Sequence, residues 1–426
     1  VITRLGVHGL VLLIVLTAVA GCSVNPVTGE RQLSLIPESQ ERSMGAEQYV
    51  PTQQMQGGKF YLDPELTLYV SEVGQKLASV SDRPDLPYEF VVLNSSVPNA
   101  WALPAGKIAI NRGLLVQFED EAQLASVLGH EIVHAAARHS VQRMQQGMIL
   151  SAGVAGLGLA LSDNEFAGMI MGGAAVGSQI ALARYSQSNE LESDHYGIRY
   201  MAKAGYDPLA AVELQEIFLK LSEGQQSSFI DGLFASHPPS RQRVEENRQA
   251  AQQLGVGGYR GRDEYQKKIA YLKRIQPAYD AQSEAIKLQK DGKTQQAIAK
   301  INEAIKIEPD EAAFYALRGR LYKAEGDDRK AQADYDKAVS LYPEMFSYRL
   351  QRGLNAFDLN RWDQARADLI EANRTVPTSI AFLRLGDIAV QQNRRDEAIQ
   401  YYATAAKSEG AIAQEAQRKL VALTQG

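Results

Sequence analysis

Three prolines, Pro309, Pro343 and Pro377, stand 34 residues apart, and small residues keep the same interval: Ala297, Ala331 and Ala365; Ala304, Ala338 and Ala372; Gly319 and Gly353; Gly292 and Gly326. A period of this length holds one helical hairpin, with small residues where its helices cross and a proline where the unit ends. One hairpin cannot bury its apolar face alone, so successive units must stack into a solenoid. Gly386 follows Gly353 by 33, one residue short. The spacing predicts units over about 277–310, 311–344, 345–378 and 379–410, with a capping helix over 411–424. The C-terminal third, 277–426, is thereby all-helical, and the rest of the chain must build something else.

The second constraint is Leu128-Gly129-His130-Glu131-Ile132-Val133-His134, inside a run predicted helical from about 119 to 144. Residues four apart on a helix share a face. His130 and His134 therefore present two imidazoles one turn apart, the spacing that two ligands of a tetrahedral zinc need. Glu131 sits beside the first and is placed to take a proton from a water that zinc would acidify. Farther on, Asn189-Glu190-Leu191-Glu192-Ser193-Asp194-His195 opens a helix reaching about Ala204, where Gly205 and Pro208 stop it. Glu190 and Asp194 share a face, so Glu190 is the candidate third ligand and Asp194 the acceptor for the far nitrogen of a ligating histidine. Glu192 points elsewhere, and His139 and His195 read as structural. His237, on the segment Ser236-His237-Pro238-Pro239 stiffened by its prolines, either covers the metal's open position or binds a developing oxyanion. By spacing alone, His237 and Arg243 are ordinary surface residues.

Upstream, the pattern predicts helices over about 37–50 and 64–80 and a strand over 88–93. In the stretch 99–113, Lys107, Ala109 and Asn111 alternate with Ile108 and Ile110, the period of a strand. A strand just before an active-site helix is placed to bind an extended peptide as an added strand, which nominates Asn99, Ala100, Trp101 and Ala109 as substrate-binding. An ordinary sheet strand is the competing reading. Two apolar, Gly- and Ala-rich runs, 148–162 and 166–183, read as buried helices or a lid over the cleft, with a membrane-touching hairpin as the alternative.

Composition is that of a globular chain: 426 residues, 45% hydrophobic, 22% charged, formal net charge -5. No basic patch or arginine-rich stripe is visible, which argues against nucleic-acid binding. The single cysteine, Cys22, allows no intramolecular disulfide. Arg4, the apolar run 10–16 and Val19-Ala20-Gly21-Cys22 read as a secretory leader over 1–21. A cysteine directly after Ala-Gly is similar to a bacterial lipobox, which implies acylation of Cys22 and a lipid anchor. Residues 22–45 read as a tether, 46–252 as the metallopeptidase domain, and 253–276 as a linker and bridging helix.

Taken together, His130-Glu131-Ile132-Val133-His134, Glu190 to Asp194, Asn99-Ala100-Trp101-Ala102-Leu103-Pro104 and Ser236-His237-Pro238-Pro239 resemble, in order and over about 25–250, the HtpX/BepA-type zinc metalloproteases, the group that includes the CAAX prenyl protease. The 34-residue units look like tetratricopeptide repeats. The long spanning segments of HtpX and the prenyl protease are not evident, which favours the BepA-like branch. The resemblance implies a mainly α fold: an α+β zincin-type domain with a small sheet, followed by an α-solenoid. It implies one zinc on His130, His134 and Glu190, Glu131 as base, His237 as a loop histidine that occupies or guards the metal, and Arg243 near the cleft. His237 or Arg243 would stabilise the oxyanion. The expected function is an endopeptidase of the Gram-negative envelope, anchored at the periplasmic side of the outer membrane. It would degrade misfolded or stalled envelope proteins, with the repeats docking client or outer-membrane assembly machinery. The alternative is mainly a chaperone or scaffold with proteolysis held latent. Prenyl-type peptidase action on lipidated substrates is a weaker third.

Overall fold

The computed structural model describes residues 22–154, 184–224, 232–255 and 257–425. The leader over 1–21 and most of the paired apolar runs, 155–183, lie outside the described residues. No helix among the described residues is long and apolar enough to cross a membrane.

The described chain opens on an antiparallel ribbon, β1 (Cys22–Val24) and β2 (Arg31–Leu33). Helices α1 (Glu38–Met55) and α2 (Pro64–Ala78) follow. A three-stranded sheet comes next: β3 (Glu89–Leu93), β4 (Ala100–Leu103) and β5 (Lys107–Asn111), in the order β3-β5-β4. Strand β5 lies in the middle, parallel to β3 and antiparallel to β4. It is buried at every position, because the sheet is covered on both faces, so its period of two marks no solvated side. After the short α3 (Arg112–Leu115) comes α4 (Glu121–Ala136), started by Asp120, whose carboxylate accepts from the Gln123 amide.

The single helix expected over 119–144 is two. Helix α4 ends at Ala136 and α5 (His139–Val154) starts anew. Between them Arg138 adopts φ 64°, a left-handed conformation that costs a non-glycine residue about 1–2 kcal/mol. Its guanidinium offsets that cost by reaching Ser34 Oγ (3.0 Å), the Ile36 carbonyl (2.7 Å) and Glu41 (2.8 Å). These partners also correct the expectation of a tether over 22–45. The ribbon and the start of α1 are packed on the catalytic domain, held by polar groups that the composition of the segment does not announce.

Helices α6 (Gln187–Lys203), α7 (Leu209–Glu223), α8 (Leu233–Ser236) and α9 (Arg241–Leu254) complete the catalytic domain. After α10 (Arg262–Lys268), the hairpins fall where the 34-residue period places them: α11 (Ala270–Lys290) with α12 (Thr294–Ile307), α13 (Ala312–Ala324) with α14 (Asp328–Leu341), α15 (Phe346–Asp358) with α16 (Trp362–Thr375), and α17 (Ser379–Gln391) with α18 (Arg395–Ala405). Helix α19 (Ala411–Gln425) caps the stack.

The solenoid does not hang free. One apolar core runs from Leu66, Val70 and Leu128 in the catalytic domain through Tyr265 and Leu272 to Phe314 and Leu317 in the repeats. Polar contacts reinforce it. Arg112 stacks its guanidinium on the Tyr279 ring at 3.1 Å and donates to Asn94 (2.8 Å) and Ser96 (2.6 Å). Buried Glu311 accepts from Tyr279 (2.6 Å) and Asn94 (2.9 Å). Tyr61 donates to the Asp310 carbonyl and accepts from the Ala312 amide, both at 2.7 Å. Gln54 accepts from the Phe346 amide at 2.8 Å. Gly58, at φ 76°, passes so close to the array that a Cβ there would stand 2.9 Å from Met345 Sδ. Arg112→Ala should therefore cost about 2–4 kcal/mol, from a lost cation–π contact and two charged hydrogen bonds in a buried setting. Urea unfolding should show this loss in one transition shared by both parts of the chain; separate transitions would contradict the continuous core.

Candidate metal centre

Helices α4 and α6 cross at two glycines. A Cβ on Gly129 would stand 3.0 Å from the Gly197 carbonyl oxygen, and one on Gly197 would stand 3.0 Å from the His130 nitrogen. An added methyl here would press on backbone and require it to give by a few tenths of an ångström, so glycine suits both positions. It sets the first turns of α6, capped by Ser186 accepting from the Asn189 amide, against the last turns of α4.

The crossing gathers His130, His134, Glu190 and His237 into one buried cluster. His134 Nε2 lies 3.0 Å from His130 Nε2 and 3.4 Å from Glu190 Oε1. His130 Nε2 lies 3.3 Å from His237 Nδ1 and 3.5 Å from Glu190 Oε2, and His237 Nδ1 lies 3.0 Å from Glu190 Oε1. Zinc bonds of ~2.0–2.1 Å in a tetrahedron put neighbouring donor atoms about 3.3–3.4 Å apart. With Glu190 Oε1 as its oxygen donor, four separations of 3.0, 3.0, 3.3 and 3.4 Å lie close to the edges of one such tetrahedron, and the nitrogen- and oxygen-rich donor set suits that ion.

The electrostatics point the same way. Burial works against charge on Glu190, yet His237, Arg243 and His130 hold its carboxyl well below the usual range. Burial likewise opposes charge on Asp194, but Arg243 and His130 keep it low. Burial keeps His134 neutral, with its lone pair available. Burial also opposes charge on His130, but Glu190 and Asp194 lift it to about 10: without an ion, a proton is drawn to where a cation would sit. Burial pushes the Glu131 carboxyl up, against the pull of His237 and His130, as suits a base. Its Oε1 is 3.5 Å from His237 Nε2, while Oε2 is buried without a hydrogen-bond partner.

Around the cluster, His130 Nδ1 is 2.9 Å from Asp194 Oδ1. Arg243 clamps Asp194 through Nε (2.6 Å) and Nη2 (2.8 Å), and reaches Glu190 (2.8 Å) and the Pro238 carbonyl (3.1 Å) through Nη1. With every nitrogen engaged and the side chain buried, Arg243 orients carboxylates. That corrects the expectation of an oxyanion-binding role for it. Tyr185 stacks on His134 at 3.7 Å between ring centroids, and its hydroxyl pairs with Ser140 (2.9 Å).

The substrate-binding candidates fare unevenly. Ala109 pairs with Val91 on one side and Trp101 on the other, so the middle of the sheet offers no edge to a peptide; that expectation is corrected. Trp101 is buried, packs edge-on against Tyr49 and donates Nε1 to Gln56, a core role for its side chain. Asn99 accepts from Ser236 Oγ (3.4 Å) and so steadies the segment bearing His237. Ala100 opens β4, the edge strand. The sequence reading missed His139, whose Nδ1 stands 2.9 Å from His134 Nδ1, and Glu192, 3.3 Å from His139 Nε2. An unbroken helix would have turned His139 away, and nothing local announces the left-handed Arg138. The glycine pair was the one available sign that two helices meet here.

Fold and site define a peptidase-type domain with an H-E-x-x-H helix, joined to a helical repeat array. Residues 64–251 match the model of peptidase family M48, and residues 312–345 and 350–414 match tetratricopeptide repeat models. The chain carries an M48 peptidase domain followed by tetratricopeptide repeats. It is 26% identical over 364 residues to the beta-barrel assembly-enhancing protease of Escherichia coli (strain K12), covering 82% of this chain and 65% of that protein. It is 31% identical over 223 residues to the mitochondrial metalloendopeptidase OMA1 of Schizosaccharomyces pombe, covering 51% of this chain and 63% of that one. Among solved structures, the first TPR of Spaghetti (RPAP3) bound to an HSP90 peptide is 22% identical, covers 28% of this chain and 98% of its own, and superposes with a TM-score of 0.27. The chain spans between 40% and 65% of the length of the beta-barrel assembly-enhancing proteases it matches.

Gly197→Ala should force α4 and α6 apart, at a cost of about 1–3 kcal/mol for the added methyl. Metal analysis after dialysis against a chelator should find less metal retained than in the parent, because Glu190 rides on the displaced helix.

Proposed function

We propose that this chain is a zinc-dependent endopeptidase, and the observation that carries the reading is the close gathering of His130, His134, Glu190 and His237 beside Glu131, whose Oε2 is buried without a hydrogen-bond partner. His130, His134 and Glu190 are the resident ligands in this reading. Zinc held there would supply Lewis-acid polarisation of a carbonyl and acidification of water. Glu131 takes the proton of the attacking water and returns it to the leaving amine. Asp194 accepts from His130 Nδ1, and Arg243 holds Asp194 and Glu190 in register. An extended peptide adds to the edge strand β4 through the backbone near Asn99 and Ala100. Support comes from Ser140, which donates to the Ala102 carbonyl (3.0 Å) and pairs with the Tyr185 that covers His134: the edge borders the cluster.

His237 lies 3.0 Å from Glu190 Oε1 and 3.5 Å from Glu131 Oε1, which supports a resting form in which this histidine would guard the metal. The same observation favours the second reading, a scaffold or chaperone whose proteolysis is latent. Both readings place the protein in the Gram-negative envelope. Ala20-Gly21-Cys22 supports a lipid anchor on Cys22 facing the periplasm from the outer membrane. Relatives named for enhancing beta-barrel assembly support misfolded or stalled envelope proteins as clients and the assembly machinery as a partner of the repeats.

Glu131→Gln should leave metal content and melting temperature near the parent's and lower cleavage of an unfolded protein substrate by about 10²- to 10⁴-fold. Full cleavage by this variant would remove Glu131 as the base; lost cleavage with intact cellular function would favour the scaffold. His237→Ala should raise turnover if the histidine closes the site, whereas a fall in turnover with KM unchanged would assign it to oxyanion binding.

A further inference from the structure

We propose that the turn at Asn25 is a positioning element of the metal centre, acting through a polar chain that ends on His134. The proposal rests on the zinc reading above. Asn25 Nδ2 donates to Glu192 Oε1 at 3.1 Å. The same carboxylate oxygen stands 3.3 Å from His139 Nε2. His139 Nδ1 stands 2.9 Å from His134 Nδ1. His134 Nε2 points into the donor cluster.

Each proton in this chain has one place to be. A ligating His134 gives its Nε2 lone pair to the metal, so its proton sits on Nδ1 and is donated to His139 Nδ1. His139 then carries its own proton on Nε2, on the side of the ring that lies 3.3 Å from Glu192 Oε1. Asn25 must present its amide nitrogen to Glu192, because its Oδ1 already accepts from the Val27 (2.9 Å) and Thr28 (3.3 Å) amides. Donor meets acceptor between His134 and His139 and between Asn25 and Glu192, and the His139 ring stands at ion-pair distance from Glu192 between them. His134, His139 and Asn25 are buried, while Glu192, which joins them, is 20% exposed. His130 leans on the Asp194 carboxylate directly; His134 leans on Glu192 at one remove. The chain fixes the tautomer and ring angle of His134, and a negative charge at its far end strengthens the imidazole as a ligand.

The ribbon β1–β2 is fastened to the same corner from several sides, by Arg138 on Ser34 and Ile36, by Gln142 on Gln32, and by Gln145 on the Leu35 amide. Among the described residues, Asn25 carries that attachment on toward a ligand. The segment directly after Cys22 thus belongs to the metal site.

The test uses the full chain, with zinc affinity measured by competition with a chromogenic chelator and the visible spectrum of the cobalt-loaded protein as a second readout. Asn25→Ala should weaken zinc about 10-fold or more and alter the cobalt bands, the scale seen when outer partners of ligating histidines are removed. It should lower kcat with little change in KM. Glu192→Gln keeps the ribbon fastened but removes the charge, and should weaken zinc in the same direction even if Asn25→Ala loosens the ribbon. Asn25→Ser, which keeps a short polar side chain for the turn but cannot reach Glu192, should behave as Asn25→Ala does. Zinc affinity and cobalt spectra unchanged in both Asn25→Ala and Glu192→Gln would overturn the proposal and leave the zinc reading intact. A parent protein that binds no zinc would overturn both.

Discussion

The close crossing of α4 and α6 is the contact on which the site depends. Gly129 and Gly197 let the two backbones meet at a distance that an added methyl would press apart. Two imidazoles then face the Glu190 carboxylate across a gap of about one ion, with Asp194 behind His130. Neither helix makes a site by itself: α4 supplies neutral or cationic nitrogen, and α6 supplies the negative charge that makes a cation welcome. Burial raises the stakes, because charged groups this deep are tolerated only with partners. Arg243, brought in by α9, is that partner for Asp194 and Glu190 together.

Much of this was legible from residue spacing. The pair His130 and His134 at one helical turn, the pair Glu190 and Asp194 at another, and the 34-residue beat of Pro309, Pro343 and Pro377 each rest on helix geometry, which sequence reports well. What failed was of another kind. Ala109 was misjudged because alternation does not say whether a strand lies at the edge or in the middle of a sheet. Arg243 was misjudged because charge does not say how many partners a guanidinium already has. His139 and the packed ribbon at 22–33 were missed because a left-handed Arg138 breaks the helical register, and only contacts distant in sequence, to Ser34, Ile36 and Glu41, make that break stable.

The two histidines of the motif are also unequal, which their symmetric spacing hides. His130 has a carboxylate at its back and Arg243 beyond it. His134 has Tyr185 against its face and a second histidine behind it. The side of the cluster toward α9 is therefore rigid and highly charged. The side toward α5 and the ribbon sets rings directly against His134, with the Glu192 carboxylate one residue farther out, and it adjoins the edge strand through Ser140 and Tyr185.

The repeats lend their inner junctions to the catalytic domain. Tyr279, Glu311, Tyr342, Met345 and Phe346 are all engaged by residues between Gln54 and Arg112, and Gln56 in that stretch also holds the indole of Trp101 on the edge strand. The solenoid consequently has a division of labour along its length. Its first units are spoken for as a buttress, and sequence drift there answers to the fold of the protease. The units beyond Thr378 take no part in these contacts, so changes on their outer faces leave the packing of the catalytic domain untouched.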